Sequence, residues 1–264
     1  MSKSFSDLKN KNVVITGGNK GIGQKVAIDF AELGANVIII GRDNNALNQT
    51  LDILNRYDGN HNAFSLDITK LNKVSETVEQ IIAIYKSIDI LVNNAGINIS
   101  KPAFEIEEED WDKVLELNLK SLFFISKFFG RYMAEEEGGK IINVASQVGF
   151  VGYYNRAHYS SSKGGVIQLT KSLAIEWAKY NINVNAIAPT FVETKLTEEM
   201  FKDEKFKEDV LNRVLFHKLP KLDDITGAIL YLSSNLSNFI TGETIKIDGG
   251  GLQFKETKFF KLIK

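Results

Sequence analysis

The sequence predicts an α/β fold: a single doubly wound domain with a seven-stranded parallel sheet and helices on both faces. Three observations predict it. Short apolar runs alternate with longer amphipathic stretches along the chain. The first run enters the first helical stretch through a glycine-rich turn. No internal repeat, low-complexity tract or Pro/Gly-rich linker divides residues 1–264.

The elements follow in order. Residues 13–16 (Val-Val-Ile-Thr) read as a strand, 22–33 as an amphipathic helix and 36–40 as a second strand, a βαβ opening. Further strands are expected at 63–66, 88–92, 140–144, 183–187 and 244–247, with helical segments between nearly all of them. Such crossovers impose parallel pairing and burial on both faces. Residues 164–179 and 223–233 carry helical patterns. Between the sixth strand and the last helix lies a charged stretch, 190–220, also helical in pattern. It follows a strand's carboxyl end, where such sheets bind ligands, and is expected to be a substrate lid.

Composition narrows the function. The formal net charge of -1 offers no basic excess for a nucleic acid or an anionic membrane. Absence of cysteine excludes disulfides, thiolate catalysis and zinc-thiolate sites. His61, His158 and His217 are too scattered for a metal site, so none is expected. The opening residues have no apolar core of signal-peptide length, and no run reaches the roughly 18 apolar residues of a membrane span. A cytoplasmic protein with a small-molecule partner is expected.

The turn reads Thr16-Gly17-Gly18-Asn19-Lys20-Gly21-Ile22-Gly23. Its glycines let the backbone approach a pyrophosphate at a helix N-terminus, where free N–H groups and the dipole favour an anion. The spacing, Gly-x-x-x-Gly-x-Gly, differs from the common Gly-x-Gly-x-x-Gly fingerprint. At the end of the second strand an acid would grip the ribose 2′-hydroxyl of NAD, and a base would accept the 2′-phosphate of NADP. The chain offers both, Arg42 and then Asp43. Arg42 with Lys20 from the turn pairs better with a phosphate dianion. NADP(H) is therefore the expected cofactor, with NAD(H) the alternative.

Tyr159 and Lys163 stand four residues apart, on one face of a helix. A phenol with pKa near 10 is a poor base at neutral pH, and a neighbouring ammonium would stabilise its phenolate. Ser146, at the end of the fifth strand, can donate a hydrogen bond to a carbonyl oxygen gaining negative charge. Asn118, in an earlier helical segment, could order a water that relays the proton.

At these residues the chain resembles the short-chain dehydrogenase/reductase family, which has a Rossmann-type fold. The matching pieces are Thr16 to Gly23, Asp67, Asn93-Asn94-Ala95-Gly96, Asn118, Ser146, Tyr159, Lys163, and Ile240 to Gly250. They span almost the whole chain in the family's order. The resemblance implies Asn118, Ser146, Tyr159 and Lys163 as a catalytic tetrad, with Lys163 also at the nicotinamide ribose. It implies Gly17, Asn19, Lys20, Gly21, Ile22, Gly23, Arg42, Asp67, Ile68, Asn94, Ala95, Gly96, Pro189, Thr190, Val192 and Thr194 along the cofactor, with Ile187 near its carboxamide. Thr190 stands where the family usually has glycine, so a left-handed turn there would be costly and another conformation is expected.

Residues 147–158 should line the pocket mouth, with Gln147, Arg156 and His158 meeting the substrate beside Ser146 and Tyr159. Their donors suggest a small polar ketone such as a keto-sugar acid, as in the gluconate 5-dehydrogenase branch of the family. The alternative within the family is 3-oxoacyl-[acyl-carrier-protein] reduction. Glu135, Glu136 and Glu137 argue against it, if they lie where an acidic carrier would dock. A non-catalytic dinucleotide-sensing protein is the alternative of another class. The apolar tail, 252–264, and the resemblance together lead to an expected homotetramer, with a dimer next.

Overall fold

A computed structural model describes residues 5–192, 197 and 200–252. Seven strands form one parallel sheet: β1 (Asn12–Thr16), β2 (Asn36–Gly41), β3 (Asn62–Ser65), β4 (Ile90–Asn93), β5 (Gly139–Val144), β6 (Ile182–Pro189) and β7 (Thr244–Ile247). Their spatial order is β3-β2-β1-β4-β5-β6-β7. β1 pairs in parallel with both β2 and β4, Val13 opposite Val37 on one side and Ile90 on the other. The order reverses between those neighbours, which opens a crevice at the carboxyl ends of β1 and β4.

Among the described residues there are eight α-helices: α1 (Gly21–Glu32), α2 (Asn44–Leu54), α3 (Leu71–Tyr85), α4 (Glu108–Leu115), α5 (Leu122–Glu135), α6 (Ala157–Trp177), α7 (Glu204–Asn212) and α8 (Leu222–Ser233). Successive strand residues point to opposite faces, so the β-branched runs feed two cores. Val13, Ile15, Val37 and Ile39 pack with Phe30 of α1 and Ile225 and Ile229 of α8. Val14, Ile38 and Leu91 pack with Val78 and Ile81 of α3 and Phe129 of α5. Phe30 and Phe129 are wholly buried, and truncating either to alanine would cost about 3–5 kcal/mol.

All seven expected strands form, with shifted ends. β4 starts at Ile90, and Asp89 just before it ties both neighbours together: its N–H donates to the Asn12 carbonyl, its own carbonyl accepts from the Lys140 N–H, and its carboxylate accepts from the Asn12 N–H and the Lys11 ammonium. β6 runs on to Pro189, and the Thr190 N–H then donates to the Ile247 carbonyl at 3.0 Å. Thr190 is not among the described residues with positive φ, so threonine extends the strand edge without the left-handed strain expected of glycine's place. α4 and α5 are joined by one π-helical turn, Glu116–Ser121. Such turns are rare and concentrate at functional sites. Among the described residues no helix is long and apolar enough to cross a membrane. Thr194 and residues 253–264 of the tail lie outside the described residues.

Candidate active site

Most of the expected cofactor and catalytic positions among the described residues lie in a loop after a strand or in a helix beginning there, with Pro189 at the end of β6 and Asn118 in the π-helical turn. Gly17 to Gly23 follow β1, Arg42 follows β2, Asp67 and Ile68 follow β3, Asn94 to Gly96 follow β4, and Ser146 follows β5. Thr16 locks the first and fourth loops together. Its hydroxyl accepts from the N–H groups of Asn94 and Ala95, both at 3.1 Å. The Asn94 amide donates in return to the carbonyls of Thr16 and Gly17.

This cradle fits a dinucleotide. Gly17 has φ +65°, and a Cβ on Gly23 would lie 2.3 Å from the Gly17 carbonyl oxygen, so only glycine lets the turn close this tightly. α1 begins at Gly21 with no side chain capping it, which leaves its first N–H groups for an anion. The Thr190 hydroxyl is buried without a hydrogen-bond partner, a polar group that a ligand could satisfy. Asn19, Ile68 and Val192 are buried in the walls and Ile187 beneath them, while Arg42 is exposed at the rim.

Asp43, the acid an NAD reading would use, is occupied. It caps α2 by accepting from the Ala46 N–H at 3.1 Å and pairs with Lys20 at 2.8 Å. That hydrogen bond from Lys20, before any other influence, holds the Asp43 carboxyl below its ordinary value. Burial pushes Asp67 up, but donors from the Thr69 backbone and hydroxyl, with the Arg42 charge beyond, bring it lower overall.

The four expected catalytic side chains converge. Asn118, fully buried in the π-helical turn, accepts from the Ile97 N–H at 2.8 Å and donates to the Ile97 carbonyl at 2.8 Å and the Ser162 hydroxyl at 3.1 Å. The Lys163 ammonium donates to the Val144 carbonyl at 2.7 Å and lies 5.8 Å from the centre of the Tyr159 ring. Burial lowers Lys163 to about 8. Burial also raises the Tyr159 phenol, opposed by a hydrogen bond with Ser146 and by the Arg156 charge. The downward pull expected from Lys163 thus comes instead from Ser146 and Arg156, because the lysine is turned to a backbone carbonyl.

Residues 11–205 match the short chain dehydrogenase family. The chain belongs to this family. It is 36% identical over 253 residues to the 2-dehydro-3-deoxy-D-gluconate 5-dehydrogenase of Escherichia coli strain K12, covering 96% of this chain and 99% of that protein. It is 38% identical over 243 residues to a 3-oxoacyl-[acyl-carrier-protein] reductase of Thermotoga maritima, covering 92% and 98%. A structure from Beutenbergia cavernae, assigned as an NAD(P)-dependent gluconate 5-dehydrogenase and holding NADP, superposes with a TM-score of 0.90 at 31% identity, covering 95% and 100%. This short-chain dehydrogenase is therefore an oxidoreductase of CH–OH donors whose fold binds a nicotinamide dinucleotide.

The loop between β5 and α6 sorts the expected substrate residues. Arg156 is buried, its guanidinium 5.2 Å from the Phe191 ring centre and 5.8 Å from that of Tyr153, and its charge acts on Tyr159. Gln147 turns its amide toward Gly251. His158 is fully buried, both ring nitrogens lack partners, and its charged neighbours are Asp110 and Lys101 rather than the catalytic group. Burial lowers its pKa. Glu135, Glu136 and Glu137 precede β5 and so lie at the amino edge of the sheet, opposite Tyr159. They carry no argument about what docks at the active site.

Sequence reading missed the backbone anchors Val144 and Ile97, and the contacts joining residues 190–220 to the β5–α6 loop. There the Tyr153 hydroxyl donates to Asp209 at 3.0 Å, and Arg213 grips the same carboxylate at 2.8 and 2.9 Å. Phe191, Phe201 and Phe206 form an aromatic cluster beside them. Aromatic residues recurring through 191–206 were the available signal.

Proposed function

We propose that this short-chain dehydrogenase uses NADP(H) to interconvert a ketone and a secondary alcohol on a small polar substrate of the keto-sugar acid kind. The observation that carries the reading is the convergence of Tyr159, Ser146, Lys163 and Asn118 beside the dinucleotide cradle. Gly17 to Gly23, Arg42, Asp67, Ile68, Asn94 to Gly96, Pro189, Thr190, Val192 and Thr194 would hold the dinucleotide. When bound, it supplies or receives the hydride.

This chain's residues manage the oxygen and its proton. In the reducing direction the Tyr159 hydroxyl gives its proton to the carbonyl oxygen, while Ser146 donates a hydrogen bond to that oxygen as charge builds on it. The proton ends on the alcohol. Ser146 and the Arg156 charge stabilise the phenolate that remains, and Lys163, anchored on the Val144 carbonyl beside the Tyr159 ring, would hold the nicotinamide ribose. Asn118 fixes the loop after β4 against α6 and lines a route for the replacing proton. Holding the reactants in one geometry supplies much of the rate. Arg42 would meet the 2′-phosphate, since Asp43 is already occupied by Lys20 and the start of α2. Residues 190–220 would close over the substrate, and the protein would work as a cytoplasmic homotetramer.

The second reading is 3-oxoacyl-[acyl-carrier-protein] reduction, favoured by the identity to the Thermotoga maritima enzyme. The deciding experiment follows NADPH and NADH consumption by purified protein against keto-sugar acids, small diketones and a 3-oxoacyl thioester. Preference for a keto-sugar acid with NADPH is expected. Turnover of the thioester alone would install the second reading, faster reaction with NADH would overturn the role of Arg42, and silence across the panel would favour a dinucleotide sensor.

A further inference from the structure

We propose that Arg156 is the residue that selects the substrate of this site: its guanidinium receives a carboxylate carried by the molecule whose carbonyl Tyr159 protonates. The inference rests on the dehydrogenase reading above and names the group that reading leaves unassigned.

Arg156 is only 6% exposed, its Nε is buried without a hydrogen-bond partner, and among the described residues the groups acting on it are the phenols of Tyr159 and Tyr153, with no carboxylate among them. A buried cation without a counter-charge is costly, so a fold retains one where a ligand anion completes the pair. The nearby acid is already used: Asp209 is held by Arg213 through two hydrogen bonds and accepts a third from Tyr153. That arrangement fixes the Tyr153 ring. Tyr153 and Phe191 then pack against the guanidinium from 5.8 and 5.2 Å and set its orientation.

The backbone aims the side chain as well. Asn155, two residues before α6, adopts a left-handed φ of 58°, and its carbonyl accepts from the Lys101 N–H at 3.1 Å. Arg156 therefore sits at the N-cap of α6, three residues before Tyr159, on whose phenol its charge acts. A planar fork offering parallel N–H donors suits a carboxylate, and lysine would not reproduce it. A substrate with its carbonyl at Tyr159 and its carboxylate at Arg156 is bound at both ends. A neutral ketose of the same length would leave the guanidinium unpaired.

The test uses the NADPH complex and two ketones that differ in one group: 5-keto-D-gluconate, and L-sorbose, which carries a hydroxymethyl in place of the carboxylate. Arg156→Gln should lower kcat/KM for the acid relative to the ketose by about ten- to a hundredfold, the range of a charge-assisted hydrogen bond. Arg156→Lys should lie between Gln and Arg. NADPH affinity equal to the parent's, read by nucleotide fluorescence, shows that the variants fold. A fall equal for both ketones, the effect of losing the charge beside Tyr159 alone, would overturn the proposal, as would a parent enzyme indifferent to the carboxylate.

A binding readout separates this outcome from failure of the dehydrogenase reading. Calorimetric titration of the NADPH complex with D-gluconate and with sorbitol reads the contact without turnover. Tighter binding of gluconate, lost in Arg156→Gln, supports the proposal even if no ketone is reduced; equal binding of the two overturns it.

Discussion

Replacing Asn118 by alanine tests whether the π-helical turn holds the catalytic end of the sheet together. The wild-type amide accepts one hydrogen bond from Ile97 and donates two, to Ile97 and Ser162, from a fully buried position. Each net hydrogen bond is worth about 1 kcal/mol, so alanine should cost about 3 kcal/mol. For a chain of this size that lowers Tm by about 6–12 °C. Asn118→Asp keeps the shape and the accepted bond while losing both donated ones, so about 2 kcal/mol is expected. Its carboxylate would also stand near Lys163. A Cβ built on Gly96 would lie 3.1 Å from Asn118 Oδ1 and 3.6 Å from Lys163 Nζ, so both groups border Gly96. The lysine's pKa should therefore climb back from about 8.

The assay is denaturant unfolding followed by tryptophan fluorescence, paired with kcat across pH. Stability of Asn118→Ala within about 0.5 kcal/mol of the parent would refute the bracing role. So would an equal loss in Tyr159→Phe.

Two further outcomes are expected. Lys163→Met should gain stability over the parent at neutral pH and lose that advantage as pH rises. The folded-state value of about 8 lies below the ordinary 10.5, so between them the unfolded chain binds the extra proton and the parent's stability climbs with pH, by about 2 kcal/mol or more; unfolding free energies of both proteins at pH 7 and pH 10 check it, and a constant difference would contradict it. Arg42→Ser should raise KM for NADPH about ten- to a hundredfold with KM for NADH within about threefold; parallel changes would mean that Arg42 does not meet the 2′-phosphate.

Much of the architecture was legible because parallel strands buried on both faces must be written as short β-branched runs. Val13 to Thr16 and 36–40 could hardly fold otherwise, and a glycine-rich turn between the first strand and first helix has one common use. Tyr159 and Lys163 were legible because a helix brings residues four apart to one face. The partners that orient them were not, since Val144 and Ile97 act through backbone atoms that every residue possesses. Asn118 could be placed in a helical segment, but the wider π turn depends on a hydrogen-bond register that side-chain types do not specify.

Two expectations failed although the sequence held the means to correct them. In a parallel sheet with crossover helices, a segment just before a strand sits at the amino edge, so Glu135 to Glu137 could never face Tyr159. From the sequence alone Arg156 and His158 are equivalent donors of one loop. Once α6 is known to begin at Ala157, each residue turns the side chain by about 100°. His158 therefore points well away from Tyr159, whereas Arg156, at the N-cap outside the helix, is directed by the left-handed turn at Asn155. Arg156 acts on Tyr159, and His158 looks toward Asp110 and Lys101. The same geometry predicts that His158→Gln leaves the discrimination between acid and neutral ketone intact, and a collapse of that discrimination in His158→Gln would place the carboxylate on the other side of the helix.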